Sequence, residues 1–394
     1  MRIERLSLTG FRTYDDLDIE FPMGPQVMVG RNAAGKTNLL EALVVLAAGH
    51  SHRTTNDTEL IAWPAGFARL EAVVAGPAAR SDLVEVVLAR PGVAGTRKRV
   101  RINGAPRRAT ALAAVLRTVV FAPEDMLLVI GSPSLRRSVL DSLVAQREME
   151  GAASLATYGR AVQQRNSLLR RIREGEAAVD ELAYWDGVVV GEGGRIVEWR
   201  HSAMRALAEP LAAAHAEMAP QEGRLALRYV TNAPAQASED ATDALRRRLA
   251  ETSEKELWNG ATLVGPHRDD MAFELDGRDL PGFASRGQQR TAILALKLAH
   301  LELLAQRDGR PPLLLLDDVF SELDPERRAH LVRRIGELPQ AFVTTTTLDD
   351  LDPRLVAAST AWRVSVGHIE LINARPAADD QRAGAGQARP MADA

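Results

Sequence analysis

Eight residues near the start of the chain, Gly30-Arg31-Asn32-Ala33-Ala34-Gly35-Lys36-Thr37, have the types and spacing that hold a polyphosphate. Glycines at this spacing let the backbone wrap against phosphate oxygens with successive N–H groups turned inward. The positive end of the helix that follows adds attraction. Lys36 is placed to reach the β- and γ-phosphates, and the Thr37 hydroxyl to bind Mg2+. Far downstream, four leucines at 313–316 run into Asp317 and Asp318. That is the pattern of a buried strand ending in two carboxylates, with Asp317 holding Mg2+ directly or through water. The two features together imply a site for ATP and Mg2+. A third motif, Ser285-Arg286-Gly287-Gln288-Gln289-Arg290, combines a hydroxyl, a glycine N–H and a helix start, which also makes an anion site. Read alone, it is more readily an ordinary serine N-cap with a glycine turn.

These motifs need elements to carry them. Ile3, Leu6 and Leu8, then Leu17, Ile19 and Phe21, read as paired strands, and Pro25 to Val29 as a short apolar strand entering the phosphate loop. Residues 38–49 are helical by spacing and end at Gly49. Residues 67–104 read as further strands with Asn103-Gly104 as a hairpin turn. From about Ser134 to Glu256, Arg, Glu, Ala and Leu dominate, which predicts several helices. Strand-like alternation returns at 261–280. A helix from about Gln288 to Gln306, the leucine strand, a helix from Pro325 to about Glu337 and a strand at Ala341–Thr346 follow. The expected fold is α/β: one discontinuous ATPase lobe from 1–130 and 257–375, and a helical arm at 131–256 inserted between the phosphate loop and the Ser-Gly motif. A disordered tail is expected at 376–394.

The 394 residues carry 49 basic and 52 acidic side chains, a net charge of −3, which argues against a globally basic protein but not against a local basic patch. Without cysteine, disulfides, thiolate metal sites and cysteine nucleophiles are excluded. The first strand-like residues lack the pattern of a signal peptide, and no apolar run reaches the roughly 18 residues that span a bilayer; a cytoplasmic location is expected. Only four cations are lysines: Lys36, Lys98, Lys255 and Lys297. A coding bias toward arginine accounts for most of this, and Lys36 sits where a compact ammonium must enter a phosphate cradle.

In order along the chain, SRGQQR resembles the signature loop of ABC-type ATPases, which caps the γ-phosphate held by a second subunit. Ser321-Glu322-Leu323-Asp324 resembles the D-loop that follows the carboxylate strand there. LTGFRTY, GKTNLLEAL, FAPEDMLLV, PSLRRSVLD, QQRNSLLRRI, TLVGPHRDD, SRGQQRTAILALKLAH and LLLLDDVFSELD together resemble the bacterial RecF family, over residues 1 to about 370. RecF is similar to the ATP-binding heads of SMC-like repair ATPases, with a compact arm in place of a long coiled coil. The resemblance implies an ATP-dependent homodimer that associates with DNA, duplex and single/double-strand junctions, and helps load RecA with RecO and RecR. It makes Ser285, Gly287 and Gln288 partners in trans to Lys36, Thr37 and Asp317. Asp318 stands where many such ATPases carry Glu to orient water; being one methylene shorter, it predicts a weak, switch-like ATPase. Two departures stand out. Ala33-Ala34 replaces a frequent glycine, and Thr344 to Thr347 fill the place of the transporter switch histidine, with the responsible threonine left open.

For DNA, the sequence offers Arg97, Lys98, Arg99, Arg101, Arg107 and Arg108 around Asn103-Gly104, suited to duplex phosphates. Arg165, Arg170, Arg171 and Arg173 suggest a second basic face on a helix. Aromatic residues make up 4% of the chain and do not interleave with these arginines, which favours backbone contact over base stacking. His267 reads as a structural residue at the joint of arm and lobe. A transporter subunit fits the basic hairpin poorly, and the insertion is too short for a long-reach tether.

Overall fold

In the computed structural model, residues 1–63, 65–76, 80–92 and 97–374 are described; the tail expected at 376–394 lies outside them. An antiparallel sheet has the order β2-β1-β4-β5-β6-β7. Its strands are β1 (Arg2–Phe11), β2 (Tyr14–Glu20), β4 (Phe67–Ala75), β5 (Ser81–Ala89), β6 (Lys98–Ile102) and β7 (Ala105–Arg107). A second sheet has the order β15-β14-β3-β13-β12-β8. It comprises β3 (Gly24–Val29), β8 (Thr118–Phe121), β12 (Leu313–Asp317), β13 (Gln340–Thr345), β14 (Thr360–Ser365) and β15 (His368–Asn373). All its neighbours are parallel except the β14–β15 edge pair. A small third sheet joins β9 (Leu225–Val230), β10 (Asp270–Leu275) and β11 (Arg278–Asp279).

The leucine strand shows why the second sheet is central. Successive side chains of a strand point to opposite faces. Leu313 and Leu315 accordingly join a core shared with the first sheet and helix α1 (Lys36–Ala48). Leu314 and Leu316 join a core on the other side. With both faces covered, the strand reads as a continuous apolar run, and its carboxylates emerge at its C-terminal edge beside the phosphate loop, which leaves the C-terminal end of β3.

The helices are α2 (Leu127–Ile130), α3 (Pro133–Arg147), α4 (Gly151–Arg173), α5 (Leu182–Met218), α6 (Ala241–Asn259), α7 (Arg286–Gln306), α8 (Pro325–Gly336) and α9 (Pro353–Ala357). The 37-residue α5 is about 55 Å long. Leu140 and Leu143 of α3 and Ala203, Leu207 and Leu211 of α5 share the core under α7, whereas Tyr158, Val162, Val189 and Ile196 form a separate small core between α4 and α5. Helices α5 and α6 cross where a Cβ on Gly194 would lie 2.2 Å from Thr242 Oγ1, so only glycine permits the approach.

Two expectations are corrected. The stretch from Ser134 to Glu256 is not all helix: β9 lies within it and pairs antiparallel with β10. Its six residues alternate too weakly to stand out until β10 supplies the ladder. Arg165 does not belong to a basic face. It is 2% exposed, with Nε 2.6 Å from Asp186 and Nη1 2.8 Å from Glu256. Two carboxylates compensate its charge inside the arm, and only Arg170, Arg171 and Arg173 remain on the surface.

Candidate nucleotide-binding site

The phosphate loop runs from the end of β3 into α1. Gly35 takes φ 111°, and a Cβ there would lie 2.9 Å from Thr13 Oγ1 and 3.0 Å from the Tyr14 hydroxyl. No side chain caps α1 and no acid occupies its first turn. Its free N–H groups and dipole therefore face the loop, as an anion site requires. Lys36 Nζ folds back on the carbonyl oxygens of Gly30 and Arg31 at 2.5 and 3.0 Å. Burial lowers the pKa of its ammonium, and the nearby carboxylates of Asp318 and Asp317 pull the other way. Lys36, Asp317 and Asp318 are thus brought together from opposite ends of the chain. Thr37 is half-buried at the helix start, and Arg31, Asn32 and Ala33 are exposed while Ala34 is buried. Ala33 sits at φ 63°. The sequence departure from glycine therefore falls on a left-handed position that costs an L-residue about 1–2 kcal/mol.

The four threonines are sorted by their contacts. Thr344, fully buried on β13, donates to Asp317 Oδ1 at 2.6 Å and accepts from the Asp318 amide at 3.0 Å. Thr345 Oγ1 turns back to the Thr347 carbonyl, and Thr346 Oγ1 to Asp350. Thr344 therefore positions the carboxylate pair, and Thr346 is the exposed member. Asp318 itself adopts φ 52°, a bend that takes the chain out of the strand directly after Asp317.

The sequence reading missed the support beneath the loop. Glu41 on α1 is fully buried and accepts from Arg12 Nε and Nη2, both at 2.8 Å, from Ser51 Oγ at 2.5 Å and from Arg53 at 3.2 Å. Burial alone would raise its carboxyl, but the hydrogen bonds from Arg12 and Ser51 outweigh this and hold it below the ordinary range. The Tyr14 hydroxyl donates to the Gly35 carbonyl at 3.0 Å, and Asn38 Nδ2 to Thr13 Oγ1 at 3.1 Å. The Arg12–Thr13 turn between β1 and β2 thereby props the phosphate loop from below. A glutamate inside an otherwise apolar helix, EALVVLAA, was the signal available in the sequence.

Ser285 N-caps α7: its Oγ accepts from the Gln288 amide at 3.2 Å, and Gln288 Oε1 accepts from the Ser285 amide at 2.9 Å. The reciprocal pair is a capping box, so the Gln288 side chain is engaged locally. Ser285 is exposed and Gly287 partly so. Lys297 on α7 is 2.7 Å from Asp125, which ties the signature helix to the 3-10 turn over Pro123–Met126 that follows β8. After the carboxylates, Asp324 caps α8 by accepting from the Arg327 amide at 3.0 Å.

The basic hairpin forms as expected. Asn103 and Gly104 both take positive φ, 53° and 76°, as a type I′ turn requires. Its cations are not equivalent. Lys98 lies 2.8 Å from Asp57 and Arg101 3.9 Å from Glu85. Arg97, Arg99, Arg107 and Arg108 make no ion pair among the described residues and are exposed. His267 is partly buried between Tyr158 and Thr262. Its Nε2 faces the Thr262 carbonyl at 3.1 Å and so carries the proton, while Nδ1 accepts from the Tyr158 hydroxyl at 2.6 Å. Burial pushes its pKa down to about 4. No helix is long and apolar enough to cross a membrane among the described residues.

The chain is similar to known proteins over most of its length. The family model described as RecF/RecN/SMC N terminal domain matches residues 2–355. A DNA replication and repair protein RecF of Symbiobacterium thermophilum is 41% identical over 379 residues, covering 94% of this chain and 98% of that protein. A solved structure of the recombination mediator protein RecF with ATP, from the RecFOR pathway, is 28% identical with a TM-score of 0.84, covering 94% of this chain and 97% of that one. An Smc head bound to the C-terminal winged-helix domain of ScpA, at 14% identity and a TM-score of 0.53, shares the fold.

Proposed function

The chain belongs to the RecF family of DNA replication and repair proteins, with an ABC-type, SMC-like ATPase head, and from that premise we propose that it is an ATP-gated DNA clamp acting in gap repair and replication restart. Two copies close on ATP, hold DNA, and reopen after slow hydrolysis. The observation that carries this reading is the meeting of Lys36 with Asp317 and Asp318 beneath an uncapped helix start.

Lys36 would release the Gly30 and Arg31 carbonyls and turn to the β- and γ-phosphates, while backbone N–H groups of the loop between Arg31 and Thr37 would cradle them. Thr37 and Asp317 offer the hydroxyl and carboxylate oxygens that a hard cation prefers. A bound Mg2+ would neutralise developing charge on the phosphates. Thr344 keeps Asp317 in place. Asp318 would orient the attacking water, with the shorter reach that makes a slow switch. Ser285 and Gly287 of a second copy would cap the γ-phosphate, and Gln288 would fix Ser285 through the capping box besides any contact in trans. The lobe at 131–256 stands on the ATPase lobe as a short arm, and the hairpin of Arg97, Lys98, Arg99, Arg101, Arg107 and Arg108 would grip DNA phosphates. Partners in the pathway would be RecR, RecO and RecA.

Ser285 is exposed, so Ser285→Arg should fold and bind ATP. Sedimentation with MgATP should show dimer for the wild type, monomer for Ser285→Arg, and no nucleotide binding for Lys36→Met. A Lys36→Met protein with normal ATP affinity and dimerisation would overturn the mechanism.

A further inference from the structure

Six residues, Val319 to Asp324, separate Asp318 from the start of α8, and both ends of that stretch are tied down. At the near end the Ser321 hydroxyl donates to the Asp318 carbonyl at 2.8 Å. Phe320 and Leu323 are buried in the core that holds Leu314 and Leu316. At the far end the Arg328 guanidinium donates to the Leu323 carbonyl at 2.7 Å. Asp324 caps α8 and also forms an ion pair with Arg327. The stretch is a short strut behind the carboxylates, and its footing is the pair Asp324–Arg327.

Arg327 also reaches away from the nucleotide site. Its Nη2 lies 3.7 Å from Oε1 of Glu222, in the turn that follows α5. Glu222 is a poorly compensated acid. Its Oε2 is sealed from solvent and has no hydrogen bond among the described residues. His215 Nε2, in the last turn of α5, stands 3.5 Å from it, but burial lowers the pKa of that imidazole and keeps it neutral. Among the described residues, Arg327 is therefore the cation on which Glu222 depends. Arg327, Leu331 and Ile335 recur every four residues along one face of α8. Leu331 and Ile335 share a core with Leu211 and Met218 of α5, and His330 Nδ1 lies 3.6 Å from Glu217. Helix α8 is thus seated on the end of α5.

Resting on the ATPase reading of Asp317 and Asp318, we infer that Arg327 is a positioning residue for hydrolysis, shared between Asp324 and Glu222, which sets the strut behind Asp318 from the end of α5. Arg327 touches no part of the phosphate loop and acts through Asp324. A displacement of α5 moves Glu222, changes the hold of Arg327 on Asp324, and is felt at the carboxylate pair. The long helix thereby gains a grip on turnover that leaves nucleotide binding alone.

Steady-state ATP hydrolysis by the full chain tests this. Arg327→Met should lower kcat by about ten- to a hundredfold, the range for outer partners of a metal ligand. KM for ATP should stay within about twofold. Arg327→Lys keeps the charge without the planar fork and should recover part of the loss. Glu222→Gln should lower kcat by about two- to tenfold. The double variant should be no slower than Arg327→Met alone, because residues that act as one unit are not additive. It should also be more stable to urea than Arg327→Met, which leaves Glu222 buried without its cation. A wild-type kcat in either single variant, or losses that multiply in the double variant, overturns the inference and leaves the ATPase reading standing. Should Arg327→Met fail to fold, Glu222→Gln decides by the same kcat. A wild type with no ATP turnover overturns the ATPase reading, and the role of Arg327 with it.

Discussion

Thr344→Val isolates one contact in the nucleotide site. The substitution keeps the shape of a fully buried side chain and removes the hydroxyl that lies 2.6 Å from Asp317 Oδ1 and 3.0 Å from the Asp318 amide. A hydrogen bond to a charged group contributes about 1.5–3 kcal/mol, and at about 1.4 kcal/mol per decade this is roughly ten- to a hundredfold. Loss of a group that orients a metal ligand falls in the same range, about ten- to a hundredfold. Water cannot take over, since Thr344 is sealed from solvent. Titration of a fluorescent ATP analogue with and without Mg2+ separates the two parts of the affinity. The gain from Mg2+ should fall about ten- to a hundredfold in Thr344→Val, and binding without Mg2+, carried by the loop, should hold. Thr344→Ser should recover the gain. A valine variant with the full Mg2+ gain would refute the argument that Thr344 orients Asp317 toward a cation.

Arg97→Glu with Arg99→Glu should weaken duplex binding at all sequences and flatten the log–log salt slope by about two, one per phosphate contact; Lys98→Ala should do less, because Asp57 already compensates it. His267 is held neutral, with a pKa of about 4 against 6.5 in the unfolded chain. The unfolded chain binds the extra proton between those values, so stability falls as pH drops through that window and the contribution is absent above it. In urea melts His267→Gln should remove up to about 1.4 kcal/mol per pH unit of that slope, and an unchanged slope would show that His267 is not the group titrating.

Much of the chemistry was legible in the sequence because it depends on local spacing. A phosphate loop closes on itself within eight residues, so Gly30 to Thr37 could be read without knowing the rest of the fold. The capping box of Ser285 and Gln288, the type I′ turn at Asn103-Gly104 and the split of the leucine strand between two cores follow likewise from positions within one or two turns or one pleat. Other features depend on residues far apart in the chain. Glu41 meets Arg12 and Arg53 only because α1 packs on the β1–β2 turn; Lys297 meets Asp125 across 172 residues; Arg165 is buried by acids from two other helices. Burial decides whether a charge is surface or structure, and burial is a property of neighbours in space. Pairing β4 with β5, and Ala89 with Arg97, sets Phe67 and Arg97 on one face, two strand spacings apart. Local backbone geometry makes the phosphate loop readable from its own residues, whereas which cations are free, and what stands next to them, follows from neighbours that folding brings together.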